Sequence, residues 1–186
     1  MSRVTIITLL MFAIATGLYW QVQQKRAADQ SSADDGTYQP DFVATELNSR
    51  VYDEAGNLSS RVHADSMEHY QALNLTIFGA PRYNVFPNEG GSQWQLSAKT
   101  GTLNNDTQNV LLEEGVLIEA ISPNEPIKNI TTSYLEVDLN SMIMTSNKAL
   151  FVEGDDFDLT GVGLFADLNE NKVNLLKQVE GTYHVE

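Results

Sequence analysis

From residue 41 onward the apolar residues recur with a period of two and nowhere sustain a period of 3.6, which restricts this part of the chain to pleated sheet with one wet face. Trp94, Leu96 and Ala98 alternate with Gln95 and Ser97, and Leu135, Val137 and Leu139 alternate with Glu136 and Asp138. Turn-forming clusters punctuate the pattern about every 8 to 12 residues, at residues 53–57, 87–91, 104–106, 113–115, 122–124 and 153–156. The expected product is an all-β domain of a dozen or more short strands.

The alternating segments also repeat. Residues 131–144 read TTSYLEVDLNSMIM and residues 160–173 read TGVGLFADLNENKV, so L-x-x-D-L-N recurs at Leu135 and Leu164, 29 residues apart, with a fainter copy, AKTGTLNND, beginning at Ala98. Ala64, Ala98 and Thr132 are spaced by 34 and 34. Units of this size stack by shared edges and hide their apolar faces along a common axis. A jelly roll or solenoid-like roll therefore explains the motif better than a closed barrel. Alternation points Val62, Ala64, Phe78, Trp94, Leu96, Leu103, Leu135, Val137, Leu139, Phe151, Leu164, Ala166 and Leu168 inward. They form either an ordinary core or a slightly open groove for hydrocarbon, because burial at about 0.8 kcal/mol per methylene serves both. Periodicity does not separate the two.

The amino-terminal part has a different grammar. Residues 4–20, VTIITLLMFAIATGLYW, carry no charge, with Arg3 before them and Lys25 and Arg26 after. As a helix they reach ~25 Å, enough for one membrane span when Gln21 and Val22 extend it. A cleaved signal peptide is the rival, but its small-x-small site at Ala13-Ile14-Ala15 would cut the apolar run itself. Tyr19 and Trp20 close the segment as an interfacial aromatic pair, a feature of a retained span. The expected organisation is a membrane anchor over residues 1–24, a polar tether over residues 25–40 and a β-domain over residues 41–186. The charges flanking the span do not orient it. The long segment after one short span is expected on the far side of a bacterial inner membrane, in the periplasm.

Charge and composition exclude whole classes of chemistry. The formal net charge is -14, and residues 41–186 carry all of the excess, with 8 Lys/Arg against 22 Asp/Glu. Eight scattered cations give no footprint for nucleic acid. There is no cysteine, hence no disulfide, thiolate nucleophile or thiolate metal site. His63, His69 and His184 share no ligand spacing. Glu153, Asp155, Asp156 and Asp158 depart from a calcium loop and read as a solvated turn. No nucleophile elbow or phosphate-binding loop is present, and Gly161-Val162-Gly163 lacks a third glycine. Acid–base work by an Asp/Glu pair is left open, since glycosidase carboxylates are defined by separation in space. The expectation is a binding protein, not an enzyme, with no cofactor and no metal.

An ordered set of short features resembles one family: a lone amino-terminal span, Val51-Tyr52-Asp53 with Gly56 and Leu58, Ala64, Phe78-Gly79-Ala80-Pro81, the segment Trp94-Gln95-Leu96-Ser97-Ala98-Lys99, Ile130-Thr131-Thr132, Gly161, and the closing Val179-Glu180-Gly181-Thr182-Tyr183. The set is similar to the LptC family of lipopolysaccharide export proteins and covers essentially the whole chain. The resemblance implies a periplasmic twisted β-jelly roll with open ends, similar to LptA, on a single-pass inner-membrane helix. It implies lipopolysaccharide as cargo, received from an LptB/LptF/LptG transporter met through the amino-terminal edge and the membrane helix, where Ala13 and Gly17 permit close packing. It implies transfer to LptA through the carboxyl-terminal edge. By position, lipid contact falls on Leu47 and Phe78. With the inward residues Trp94, Leu96, Leu135, Val137 and Phe151 these complete the lipid-binding expectation. Partner contact falls on Val173 and Tyr183, and Gly154 is expected in a tight turn with φ > 0. Acyl chains are expected inside and anionic headgroups in solvent, because a domain of this charge repels phosphate. The alternative is a tethered β-scaffold that docks periplasmic partners without lipid.

Overall fold

The computed structural model describes residues 19–21, 39–52, 55–86, 93–122 and 125–184. The chain divides into two units, Met1–Gln39 and Pro40–Glu186. Residues 19–21 of the first unit are helical, with Tyr19 and Trp20 exposed. The rest of the expected anchor and nearly all of the tether lie outside the described residues. Among the described residues no helix is long and apolar enough to cross a membrane.

The second unit is the expected antiparallel β-structure. Its strands are β1 (Phe42–Tyr52), β2 (Leu58–Tyr70), β3 (Leu75–Gly79), β4 (Arg82–Val85), β5 (Trp94–Ser97), β6 (Thr100–Asn104), β7 (Asn109–Ala120), β8 (Ile127–Asp138), β9 (Ile143–Gly154), β10 (Phe157–Asp167) and β11 (Lys172–Tyr183), with one 3₁₀ turn at Gln71–Leu73. The strands are fewer and longer than the turn signals suggest, because some of those signals are bends within a strand. Residues 113–115 are such a case: Glu114 and Gly115 take φ of 62° and 69° inside the continuous β7. All three are exposed, and the buried phase resumes at Val116.

The long strands divide between two walls, one half of each pairing in each wall. The first half of β2 pairs with β4 and its second half with β3. The second half of β7 pairs with β5 and its first half with β6. One wall thus holds residues 47–52 of β1, 58–63 of β2, β4, β5 and residues 117–120 of β7. The other holds residues 42–45, 66–70, β3, β6 and residues 109–113. Strands β8 to β11 extend both walls with register breaks at their bends. Left-handed residues Glu46, Ala80 and Glu114 mark successive bends at the 34-residue period seen in the sequence. The backbone stitches the bends together, Ala80 N–H donating to Lys99 O at 2.8 Å and Lys99 N–H to Glu114 O at 3.0 Å. Leu96, Leu112, Val116, Ile118, Ile130, Leu135, Val137, Met144, Val152 and Leu164 fill the space between the walls almost without exposure.

The recurring L-x-x-D-L-N motif is a turn that closes the second wall. Asp138 Oδ1 accepts from the backbone N–H of Asn140 and Ser141 at 2.8 and 3.1 Å. Asp167 Oδ1 accepts from Asn169 and Glu170 at 3.0 and 3.1 Å, and Asn104 Oδ1 from Asp106 and Thr107 at 3.0 and 3.1 Å. These are Asx turns, in which a short side chain supplies the acceptor that the reversing backbone lacks. The following asparagine ties each turn to the one before: Asn140 Nδ2 donates to Thr107 O and Asn169 Nδ2 to Ser141 O, both at 3.1 Å, and Asn105 Nδ2 donates to Asn74 O at 2.9 Å. Each turn ends on a left-handed residue, Asn74, Gln108, Met142 or Asn171.

The two backbone donors hold the exposed Asp138 carboxyl below its ordinary pKa of 3.8, the Ser141 N–H contributing most. With the folded value the lower one, this stabilisation is complete above the ordinary value and is lost as pH falls through the folded value. Asp138→Asn preserves the turn, as Asn104 does in its own, but removes the titration. The variant's melting temperature should therefore fall less steeply than the wild type's below about pH 4, as measured by thermal scans across pH.

Candidate functional site

Two hollows lie between the walls. The larger, about 380 Å³, is bounded by Leu47, Ser49 and Val51 of β1, Ser60, Val62 and Met67 of β2, Phe78 of β3, Tyr83 and Val85 of β4, Leu103, and the turn residues Gln108, Leu139, Asn140 and Met142. The smaller, about 250 Å³, is bounded by Trp94, Ile118, Ile127, Ile130, Met144, Leu168 and Val173, with Glu125, Asp167, Asn171 and Lys172 at its polar side. Leu47 and Phe78, distant in sequence, thus share one hollow because β1 and β3 both flank β2. Trp94 shares the other with Val173.

Leu96, Leu135 and Val137 point inward as expected but line neither hollow, being at most 2% exposed within the packed core. Phe151 corrects the inward assignment: it is 40% exposed. Met144, Ser146, Leu150 and Val152 keep one inward phase along β9, so Phe151 falls between them on the outer row with Thr131 and Thr160. Among the described residues no cluster of acids and histidines has the arrangement of a metal site.

Tyr83, which the sequence reading did not single out, stands at the centre of the larger hollow. Its ring meets Phe78 edge-on, centroids 6.1 Å apart and planes at 89°. It is 4% exposed, and its hydroxyl has no hydrogen-bond partner among the described residues. Burial raises its pKa above the ordinary 10.0, so the hydroxyl stays neutral. The signal was present, since Tyr83 and Val85 alternate with Arg82 and Asn84 in phase with the core.

The other notable feature is at the ends of the stack. Strand β1 pairs only with β2, and β11 only with β10, among the described residues. Both are long, and both expose apolar side chains, Phe42, Val43, Val51 and Tyr52 on one and Leu176, Val179 and Tyr183 on the other. Isolated soluble sheets blunt such edges with charge, proline or brevity. Gly154 lies beside the carboxyl-terminal edge, and its expected φ > 0 is not found: the positive-φ glycines are Gly56, Gly115 and Gly163. What requires glycine is space, since a Cβ there would run into the Phe157 ring. Phe157 in turn packs against Tyr183 at 6.3 Å, so a side chain at position 154 disturbs the edge strand through one ring.

An unpaired buried hydroxyl costs stability that a matching apolar ring does not. Tyr83→Phe should therefore stabilise the protein by about 1 kcal/mol, raising its melting temperature by roughly 2–4 °C; calorimetry checks the sign.

Residues 8–184 match the family model described as lipopolysaccharide-assembly, LptC-related. The lipopolysaccharide export system protein LptC of Haemophilus influenzae is 25% identical, with 78% of each chain matched. Those of Escherichia coli and Shigella flexneri are 24% identical, covering 79% of this chain and 76% of their own. With almost its whole length matched by the model and its β-roll in place, the chain belongs to the LptC-related family of lipopolysaccharide-assembly proteins.

Proposed function

We propose that this protein is a carrier in lipopolysaccharide export, held at the inner membrane by residues 1–24 with its β-roll in the periplasm. The larger hollow takes acyl chains against Leu47, Phe78 and Tyr83. Strand β11, through Leu176, Val179 and Tyr183, hands the cargo to an LptA-type roll by strand addition, and β1 meets the transporter's roll in the same way. The observation that carries this reading is the combination of an apolar hollow with two long unblocked edges. A protein that only had to stay folded would bury the first and guard the second.

A lipid of several acyl chains exceeds a hollow of about 380 Å³, a size at the lower end of the roughly 300–1,000 Å³ of small-ligand sites. Loading therefore needs the walls to part. Main-chain hydrogen bonds run within each wall, and among the described residues none joins the free tips of one wall to those of the other. Separation at the tips costs side-chain contacts and no sheet. Nothing in the site calls for catalysis, and the energy for transport belongs to the transporter.

The packed residues Leu96, Leu135 and Val137 favour the docking scaffold without lipid as the second reading. A photo-crosslinking residue at Phe78 and another at outward-facing Glu136, in the membrane-anchored protein with native envelope lipid, separate the two. The carrier gives lipopolysaccharide adducts at Phe78 and none at Glu136. Absence of lipid at Phe78, while a label at Tyr183 still captures a β-rich partner, makes the scaffold the correct account.

A further inference from the structure

Three of the eight basic residues of the domain are gathered in one place. Residues 41–186 contain three arginines, Arg50, Arg61 and Arg82, and all three converge on one hollow of about 340 Å³ on the outer face of the first wall. The pairing register explains how. Arg50 lies opposite Arg61, which lies opposite Asn84, and the adjacent row runs Asn48, His63, Arg82 across the same three strands. Six side chains thus form a two-by-three grid on β1, β2 and β4. None of the arginines forms an ion pair with a described residue, although the domain carries 22 acids against 8 bases. Asp65, on the same face of β2, lies 3.9 Å from His63 Nε2 at the grid's border. Arg61 stacks 5.6 Å from the Phe86 ring centroid, which orients its guanidinium.

Like charges directly opposite on paired strands repel. In a domain this acidic, one neighbouring Glu would relieve the repulsion. We propose that this grid is a binding site for the phosphate group of a lipid headgroup whose acyl chains occupy the larger hollow, an assignment that rests on the carrier reading above. Guanidinium forks match phosphate oxygens bidentately, which ammonium groups do not. Position favours the same ligand. Ser49 and Val62, which line the acyl hollow on the inner side, are flanked in sequence by Arg50, Arg61 and His63 on the outer side. Strand β1 is the end strand of the wall among the described residues, so a headgroup reaches Arg50 by turning around that edge while no partner strand is added to it. On this proposal the overall charge repels phosphate while one local patch holds it, where the sequence alone led to headgroups in solvent.

The test compares binding of phosphorylated lipopolysaccharide and of the same lipid with its lipid A phosphates removed, to the full chain in nanodiscs. Wild type should bind the phosphorylated form roughly tenfold more tightly. The triple variant Arg50→Gln, Arg61→Gln, Arg82→Gln should lose that preference while binding the dephosphorylated form as wild type does, which also shows that it folds. Millimolar inorganic phosphate should leave the preference in place; if it abolishes the preference, the site serves a free anion and the headgroup assignment is overturned. Equal binding of both lipids by wild type, or a preference that survives the triple variant, overturns it as well. If wild type binds neither lipid, the carrier reading itself fails and takes this site with it.

Discussion

Main-chain pairing along an open stack governs this molecule. Each bent strand satisfies its neighbours on either side, so among the described residues the stack is paired through its interior and leaves one edge unpaired on its first and last members. The bends divide every layer between two walls, and the Asx turns with their asparagine ties close one wall along its length. An arrangement built by repetition has no natural terminus. Where a soluble protein would add a cap, β1 and β11 present long apolar edges. The same pairing that builds the fold is thus available to continue it into another molecule.

The cross-section follows from the same geometry. Aliphatic side chains pack between the walls almost without exposure, and two hollows with mainly apolar linings lie between the same walls; among the described residues no main-chain hydrogen bond bridges the tips of the walls. Packed core and hollow are therefore not alternatives along this sequence: Leu135 lies wholly in the packed core, and Phe78 is both part of that core and a lining residue of the larger hollow. The outer surface of the first wall adds a charge pattern that the inner surface does not reveal.

The sequence made the architecture legible through two periods, the alternation of two that requires sheet and the spacing of 34 and 29 that requires stacked layers. Its limits were physical. Alternation is a phase, and a bend shifts it in some strands and not in others. Strand β8 passes from Ile130 and Thr132 to Leu135 and Val137, whereas β9 keeps Met144, Ser146, Leu150 and Val152 in step and leaves Phe151 outside. A Glu-Glu-Gly cluster marks left-handed backbone without saying whether the chain reverses or only bends, and in β7 it bends. Gly154 was legible as obligatory, but the reason, a ring from Phe157 at its Cα, depends on a residue across the turn. The arginine grid needed the register itself, because Arg50, Arg61 and Arg82 are neighbours only once β2 has paired with both β1 and β4.

The central claim is that the hollow beneath β1 opens to take lipid while the packed apex holds. The chain has no cysteine, so Gln95→Cys on the outer face of the first wall and Thr102→Cys on the outer face of the second give a single pair of sites for spin labels. Pulsed dipolar spectroscopy before and after adding lipopolysaccharide reads the separation of the walls. The account predicts a longer interlabel distance in the loaded protein. An unchanged distance with lipid demonstrably bound would contradict it.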